Sequence, residues 1–294
     1  MKKKELKAKE NQKIEKTDII LLVILSIWCL IIIFPFYEAV MASLVDGTAF
    51  ARNPLIIIPD KVIFDNYQVI FDFTNLLSGY KNTLIVVLLG VPIQLLMTVA
   101  TGYVFSQEFP GKKWLFKLMI FTMFFSGGVI PKYILMRNLG LMNSYWPTIL
   151  VAAVSTYYMI IIKGSFESMP PALKEAAVID GATDIQVLFK IYLPLQMPML
   201  ATFTLFFTVD LWNSWYWPMI TMSEPKLQVL PVILRQVCNT AQNVSEYGDA
   251  SITESFGTGI KMAATVLTML PIMCFYPFLQ KYFVKGVMVG SIKM

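Results

Sequence analysis

The sequence predicts an all-α polytopic membrane protein of about six transmembrane helices, and three observations carry that expectation: the apolar composition, the length of the apolar runs and the placement of the lysines. Hydrophobic residues fill 56% of the 294 positions and charged residues only 15%, which leaves too little polar surface to clothe a soluble domain of this length. A hydrocarbon core about 30 Å thick takes roughly 20 apolar helical residues, because lipid offers nothing to hydrogen-bond a bare backbone. Seven of the 24 basic residues (Lys2, Lys3, Lys4, Lys7, Lys9, Lys13 and Lys16) precede the first apolar run, which marks an inward-facing tail and not a nucleic-acid surface.

Residues 1–18 form that basic tail and 19–294 the membrane domain. The first run, Ile19 to Val40, is too long for a secretory leader and no small-residue cleavage pattern follows it, so it is read as a retained span. Further spans fall at Leu84 to Phe105, Leu115 to Val129, Pro147 to Ile162, Met197 to Ile220 and Gly259 to Lys281. Pro131 to Asn143 mixes Lys132, Arg137 and Asn138 with Tyr133, Ile134, Leu135, Leu139 and Leu141, the pattern of a short amphipathic helix lying at the interface. With the N-terminus inside, the inner segments and their adjoining span ends hold 16 basic residues against eight elsewhere, which places both termini in the cytoplasm of a cell-membrane protein. The long outer loops, Met41 to Thr83 and Thr221 to Thr258, either touch something outside the membrane or merely join spans.

Histidine is absent, which removes the commonest general base and transition-metal ligand. Cys29, Cys238 and Cys274 form no CxxC pair and read as inert packing thiols. There is no GxSxG nucleophile turn and no GxxxxGK[ST] phosphate loop; Gly111-Lys112 is followed by Lys113, with Ser106 where the first glycine belongs. No metal site and no enzymatic chemistry is therefore expected of this chain.

The largest inner segment, about residues 163–196, is the informative one. Ser168, Pro170 and Pro171 start a helix, Ala172 to Asp180 continue it, and Gly181 stands where helices stop in a left-handed turn. Thr183 and Asp184 then cap a second short helix expected to end before Pro194. Leu173, Ala176, Ala177 and Asp180 share one face of the first helix, with Lys174 and Glu175 beside it. By spacing alone this face either docks into a groove or rests on the membrane surface.

Glu175-Ala176-Ala177, Asp180-Gly181-Ala182 and then Phe189, Ile191, Leu193 and Pro194 resemble the EAA loop of binding-protein-dependent ABC importer permeases. That resemblance implies coupling helices seated in a cleft of a cytoplasmic ATPase subunit, two such subunits that bind the ATP and Mg, and a non-catalytic role without cofactor for this chain. It also implies a second permease subunit and an extracellular or periplasmic solute-binding protein. Asn138-Leu139-Gly140-Leu141, Tyr145-Trp146, Leu193-Pro194-Leu195 and the ending Gln280-Lys281-Tyr282-Phe283-Val284-Lys285-Gly286 make the chain similar, within that family, to the carbohydrate permeases. This group includes the maltose importer's second permease and those for complex sugars, and it pairs two unlike permease chains. The cargo expected from it is an oligosaccharide.

Asp210 falls within the fifth span, followed by Trp212, Asn213, Trp215, Tyr216 and Trp217. Sugars stack their apolar faces on aromatic rings and hydrogen-bond to carboxylates and amides, so these residues are expected along the substrate path. Other roles stay open at this level: Trp215 and Trp217 suit an interfacial aromatic belt, and Asp210 suits a pair with a neighbouring helix or the partner subunit. A permease for a non-sugar solute is one rival reading. An ion-coupled secondary transporter is another, but it calls for inverted repeats that the sequence lacks.

Overall fold

The computed structural model describes residues 16–45, 56–59, 61–247 and 258–274, and among them there are helices and no strands. The tail up to residue 15, the end of the sixth span and the motif from Gln280 to Gly286 lie outside the described residues. The chain divides into two compact units, Met1–Gln68 with Ala241–Val266 and Val69–Thr240 with Leu267–Met294.

In the first unit, α1 (Lys16–Ser43) has 28 residues, about 42 Å of helix at 1.5 Å per residue. Its isoleucines and leucines face outward on every side, as suits a helix whose solvent is lipid. Asn66, at the start of α2 (Asp65–Phe73), is buried, and its Nδ2 donates to the carbonyls of Ser43 and Val45 at 3.0 and 3.1 Å. These bonds supply partners that the last turn of a helix lacks.

The axis of the second unit is α3 (Leu76–Ser106), 31 residues long. The sequence reading starts this span at Leu84 and leaves Gly79, Tyr80, Lys81 and Asn82 in the loop from Met41 to Thr83. The helix begins two turns earlier because those polar groups find partners inside the bundle. Asn82 Nδ2 donates to the carbonyls of Lys226 and Gln228 at 2.8 and 2.9 Å, and its Oδ1 accepts from the Tyr145 hydroxyl at 2.9 Å. Thr83 Oγ1 accepts from the Leu230 amide at 2.9 Å, and the Tyr80 hydroxyl donates to the Leu267 carbonyl. Asn82→Ala strands two carbonyls and a hydroxyl at a buried position, so it is expected to cost about 2–4 kcal/mol. A lowered unfolding midpoint in detergent checks this.

The third span is interrupted. Helices α4 (Lys112–Phe124) and α5 (Val129–Asn138) are bent by 108° across a break at which Gly128 has φ +84°, so the stretch expected to continue to Val129 stops at Phe124. The fourth, expected as one helix from Pro147 to Ile162, is two: α6 (Trp146–Val151) and α7 (Thr156–Glu167). No proline or glycine stands between them, so the apolar pattern runs through the break unmarked.

Next come α8 (Pro171–Ile179) and α9 (Asp184–Leu195), and then α10 (Met197–Trp212), bent by 84° from α9. The fifth span, expected to reach Ile220 unbroken, halts at Trp212 and resumes as α11 (Tyr216–Thr221). Pro218 has no amide hydrogen and its ring would collide with the carbonyl four residues back, so the helix opens before it. Asn213 closes α10 by donating both its amide and its Nδ2 to the Val209 carbonyl at 3.0 Å. Much of the second outer loop is helical as well, as α12 (Leu230–Tyr247), and α13 (Thr258–Cys274) forms the described part of the sixth span. By length and composition α1 and α3 can each cross a membrane, and the bent pairs α4–α5 and α9–α10 qualify as broken spans.

Around α3 pack α6, α7 and α10, with Val86, Ile149, Met159, Ile162, Phe203 and Phe207 buried between them. Small residues permit the close approach: a Cβ on Gly90 would come 2.5 Å from Leu211 Cδ1, and one on Gly102 2.0 Å from Ile162 Cγ2.

Candidate functional site

The segment between α7 and α10 is built by local chemistry. Pro171 opens α8 at its first position, where a missing amide hydrogen costs nothing. At its end Gly181 has φ +79°, and the amides of Gly181 and Ala182 return to the carbonyls of Val178 and Ala177 at 3.0 and 2.9 Å. This pair of hydrogen bonds is a Schellman turn, which the left-handed glycine makes possible. Thr183 then starts α9 through a reciprocal cap: its Oγ1 accepts from the Gln186 amide at 3.3 Å, and Gln186 Oε1 accepts from its amide at 2.9 Å.

Helix α9 does not stop before Pro194 as its sequence suggests. Residues Leu188–Tyr192 wind as a π-helix, with the Leu193 amide reaching the Leu188 carbonyl. The wider turn relieves the clash between the Pro194 ring and the preceding turn, so the helix runs on to Leu195. It also changes the register. Val187, Leu188 and Tyr192 turn inward, while Ile191 is half-buried and Phe189 is 58% exposed.

Inward-facing groups lock this segment to the Ser106 end of α3. Tyr103, Phe166 and Tyr192 bring α3, α7 and α9 together, with ring centroids 5.4 to 6.0 Å apart and the Tyr103 ring edge-on to both others. The Tyr103 hydroxyl donates to the Asp184 carbonyl at 3.2 Å. Lys174 Nζ donates to Gln107 Oε1 and stands 3.3 Å from Asp184 Oδ1. Beside them Lys112 bridges Glu108 at 2.9 Å and Glu167 at 3.6 Å, and Lys163 meets Glu167 at 2.6 Å. The hydrogen bond from Lys112 holds the Glu108 carboxyl below the ordinary carboxylate range.

Among the residues singled out for coupling, Glu175, Ala176, Asp180, Gly181, Phe189 and Pro194 are exposed, and Ala182 and Ile191 are half-buried. Ala177 is buried, so the face expected to carry Leu173, Ala176, Ala177 and Asp180 outward together is divided. The Schellman turn, which takes the Ala177 carbonyl, accompanies that inward placement. Beside Phe189, the segment exposes apolar side chains that were not singled out, Val178, Ile179 and Ile185, with Ile179 85% exposed.

The residues expected on the substrate path lie at the α10–α11 corner and are not all together. Asp210 and Asn213 are exposed, whereas Trp212 is buried in the bundle at 4% exposure, on a different side of α10 from Asp210. Trp215 and Tyr216 stack edge to face at 5.5 Å, and Tyr216 does the same with Trp217 at 6.0 Å. Arg235 of α12, which sequence reading passed over, lays its guanidinium 4.0 Å from the Trp215 ring centroid. The corner is braced by Asn143, whose amide donates to the Thr221 carbonyl and whose Oδ1 accepts from the Ser223 amide, both at 2.8 Å.

Comparison with known proteins bears on both arrangements. The chain is 35% identical to Protein LplC of Bacillus subtilis over 268 residues, covering 90% of each. It is 32% identical to the polygalacturonan/rhamnogalacturonan transport system permease protein YtcP of the same organism, over 94% of this chain and 98% of that one. Its fold matches a solved bacterial ABC transporter involved in the import of the acidic polysaccharide alginate, with a TM-score of 0.77, 28% identity, 93% of this chain covered and 100% of that one. The model of the family described as binding-protein-dependent transport system inner membrane component matches residues 72–289, and to that family of multi-pass membrane transport proteins the chain belongs.

Proposed function

We propose that this chain is the non-catalytic permease subunit of an ATP-driven oligosaccharide importer, moved by cytoplasmic ATPase subunits through residues 163–196. The observation that carries it is the two-sided build of α8 and α9. One side exposes Val178, Ile179, Ile185 and Phe189 beside Glu175 and Asp180, and the other is locked to the membrane bundle through Tyr103, Phe166 and Tyr192. An exposed apolar cluster rimmed by charge suits a protein partner, and rigid attachment behind it suits transmission of force. Two ATPase subunits bind ATP and Mg, and a second permease of unlike sequence completes the path. A solute-binding protein delivers cargo on the outer side, and both termini, with the basic tail 1–18, face the cytoplasm.

The carbohydrate reading draws on the similar proteins, named for polygalacturonan, rhamnogalacturonan and alginate. Asp210, Asn213, Trp215 and Tyr216 line the path, and Trp212 supports that wall from within the bundle.

Cross-linking tests the coupling. With Cys29, Cys238 and Cys274 replaced by serine, Ile179→Cys is expected to form a disulfide with a cysteine placed in the cleft of the ATPase subunit of the assembled importer. Failure at Ile179, Ile185 and Phe189 alike, in complexes that still hydrolyse ATP, removes the assignment.

A further inference from the structure

The α10–α11 corner carries a feature that a neutral sugar does not call for. Arg235 projects from α12 over the face of Trp215, 4.0 Å from the ring centroid, and its side chain is exposed. No carboxylate among the described residues lies within salt-bridge distance of it. A guanidinium stacked on an indole keeps its flat face on the ring and its N–H edge free, in the fork geometry that accepts a carboxylate through two parallel bonds.

Both halves of this stack are fixed. Trp215 sits where α10 is closed by Asn213 and where Asn143 grips the end of α11 and the residues just after it. Helix α12 is pinned at its first residue by the Leu230 amide on Thr83, and the turn before it by Asn82 on the carbonyls of Lys226 and Gln228. An arginine with no counter-ion among the described residues, held on a braced aromatic ring beside the exposed ring of Tyr216, is a preorganised anion reader next to a sugar-stacking surface.

We infer that Arg235 reads a carboxylate on the transported oligosaccharide, so that the cargo class of this permease is a uronate-containing oligosaccharide. This rests on the oligosaccharide importer reading above and narrows it. A uronate unit offers an apolar ring face to Tyr216 and a C6 carboxylate to Arg235. Esterification or reduction of that carboxyl leaves the stacking intact and removes the ion pair.

The test compares trigalacturonate with its methyl ester, a neutral molecule of the same length and linkage, in proteoliposomes holding the intact importer with its binding protein. The same binding protein serves every arm, so its own preference cancels when wild type and variant are compared. Arg235→Gln is expected to lower trigalacturonate uptake at subsaturating concentration by about tenfold, the loss of one charge-assisted contact, and to leave ester uptake within about twofold. Arg235→Lys, which keeps the charge but not the fork, falls between. ATP hydrolysis without sugar stays at the wild-type rate in both variants, which separates recognition from a structural strut.

Equal losses for acid and ester, loss of sugar-free ATP hydrolysis, or no change on substitution each overturn the inference and leave the importer reading standing. So does a wild-type importer that carries neutral oligosaccharides but not uronates. A wild type that takes up no oligosaccharide of either kind overturns the carbohydrate reading itself.

Discussion

Gly181→Val is expected to lower transport severalfold while leaving the protein inserted and its partner's ATP hydrolysis running. No heavy atom lies within 4 Å of the point a Cβ would occupy at Gly181, so the substitution meets no steric wall. Its whole effect comes from the backbone. At φ +79° an L residue brings its Cβ against its own carbonyl, at a cost of about 1–2 kcal/mol, and β-branching adds to it. That is comparable with the net worth of the two turn bonds from the amides of Gly181 and Ala182, so the turn opens and α9 is no longer held in one pose against α8. A penalty of that size shifts the equilibrium between the closed and open turn by roughly five- to thirtyfold toward the open form, and uptake is expected to fall as the coupling geometry is depopulated. Gly181→Asn is the control, because asparagine enters the left-handed region at little cost, and it is expected to transport at close to the wild-type rate. Uptake by Gly181→Val at the wild-type rate and at normal protein level would show that the turn lies outside the path of force.

What could be read of this segment from residues alone is what local chemistry decides. Pro171 at a helix start, Gly181 at a left-handed stop and Thr183 at a cap each act within a few residues, and each is where its side chain predicts. The register of α9 is another matter. An α-helical count from Val187 places Ile191 on the inner face and one from Leu188 places Tyr192 there, and in the π-helical stretch it is Tyr192 that is buried while Ile191 is half-buried. Pro194 inside a helix is the one sequence signal for such a turn, and it equally permits the stop that was expected. Likewise the burial of Ala177 and the early start of α3 depend on partners far along the chain, since Asn82 becomes helical interior because Lys226, Gln228 and Tyr145 meet it. At the α10–α11 corner the aromatic composition was legible. The inward turn of Trp212 and the arrival of Arg235 from another helix were not, because both are tertiary facts.

The two ends of α3 hold different machinery, and one helix with Pro92 in its interior joins them. Tyr103 belongs to the aromatic lock beneath α9, and Asn82 grips the turn that leads into α12. The 21 helical rises from Asn82 to Tyr103 span about 32 Å. Pro92 leaves one helical bond of α3 unmade, so a rotation imposed at the Tyr103 end reaches the Asn82 end only while α3 remains packed against its neighbours along the way.

That proviso can be broken at one residue. Gly102→Val is expected to destabilise the protein by about 3 kcal/mol and to part α3 from α7. A Cβ at this position falls 2.0 Å from Ile162 Cγ2, with the Lys163 amide nitrogen and the Met159 carbonyl oxygen behind it at 3.4 Å. Ile162 is fully buried in a helix, where a β-branched side chain has essentially one χ1 rotamer, so the methyl group cannot swing aside. The helices must separate, and Tyr103, the next residue, then loses its edge-on contact with Phe166 of α7. Gly102→Ala makes the same clash with less bulk, and pairing it with Ile162→Ala removes the offending Cγ2. The double variant is expected to recover most of the unfolding midpoint that Gly102→Ala loses, a non-additivity that only direct contact produces. Should Gly102→Val unfold in detergent at the wild-type midpoint, the close α3–α7 contact is not what keeps the lock at Tyr103 attached to the rod.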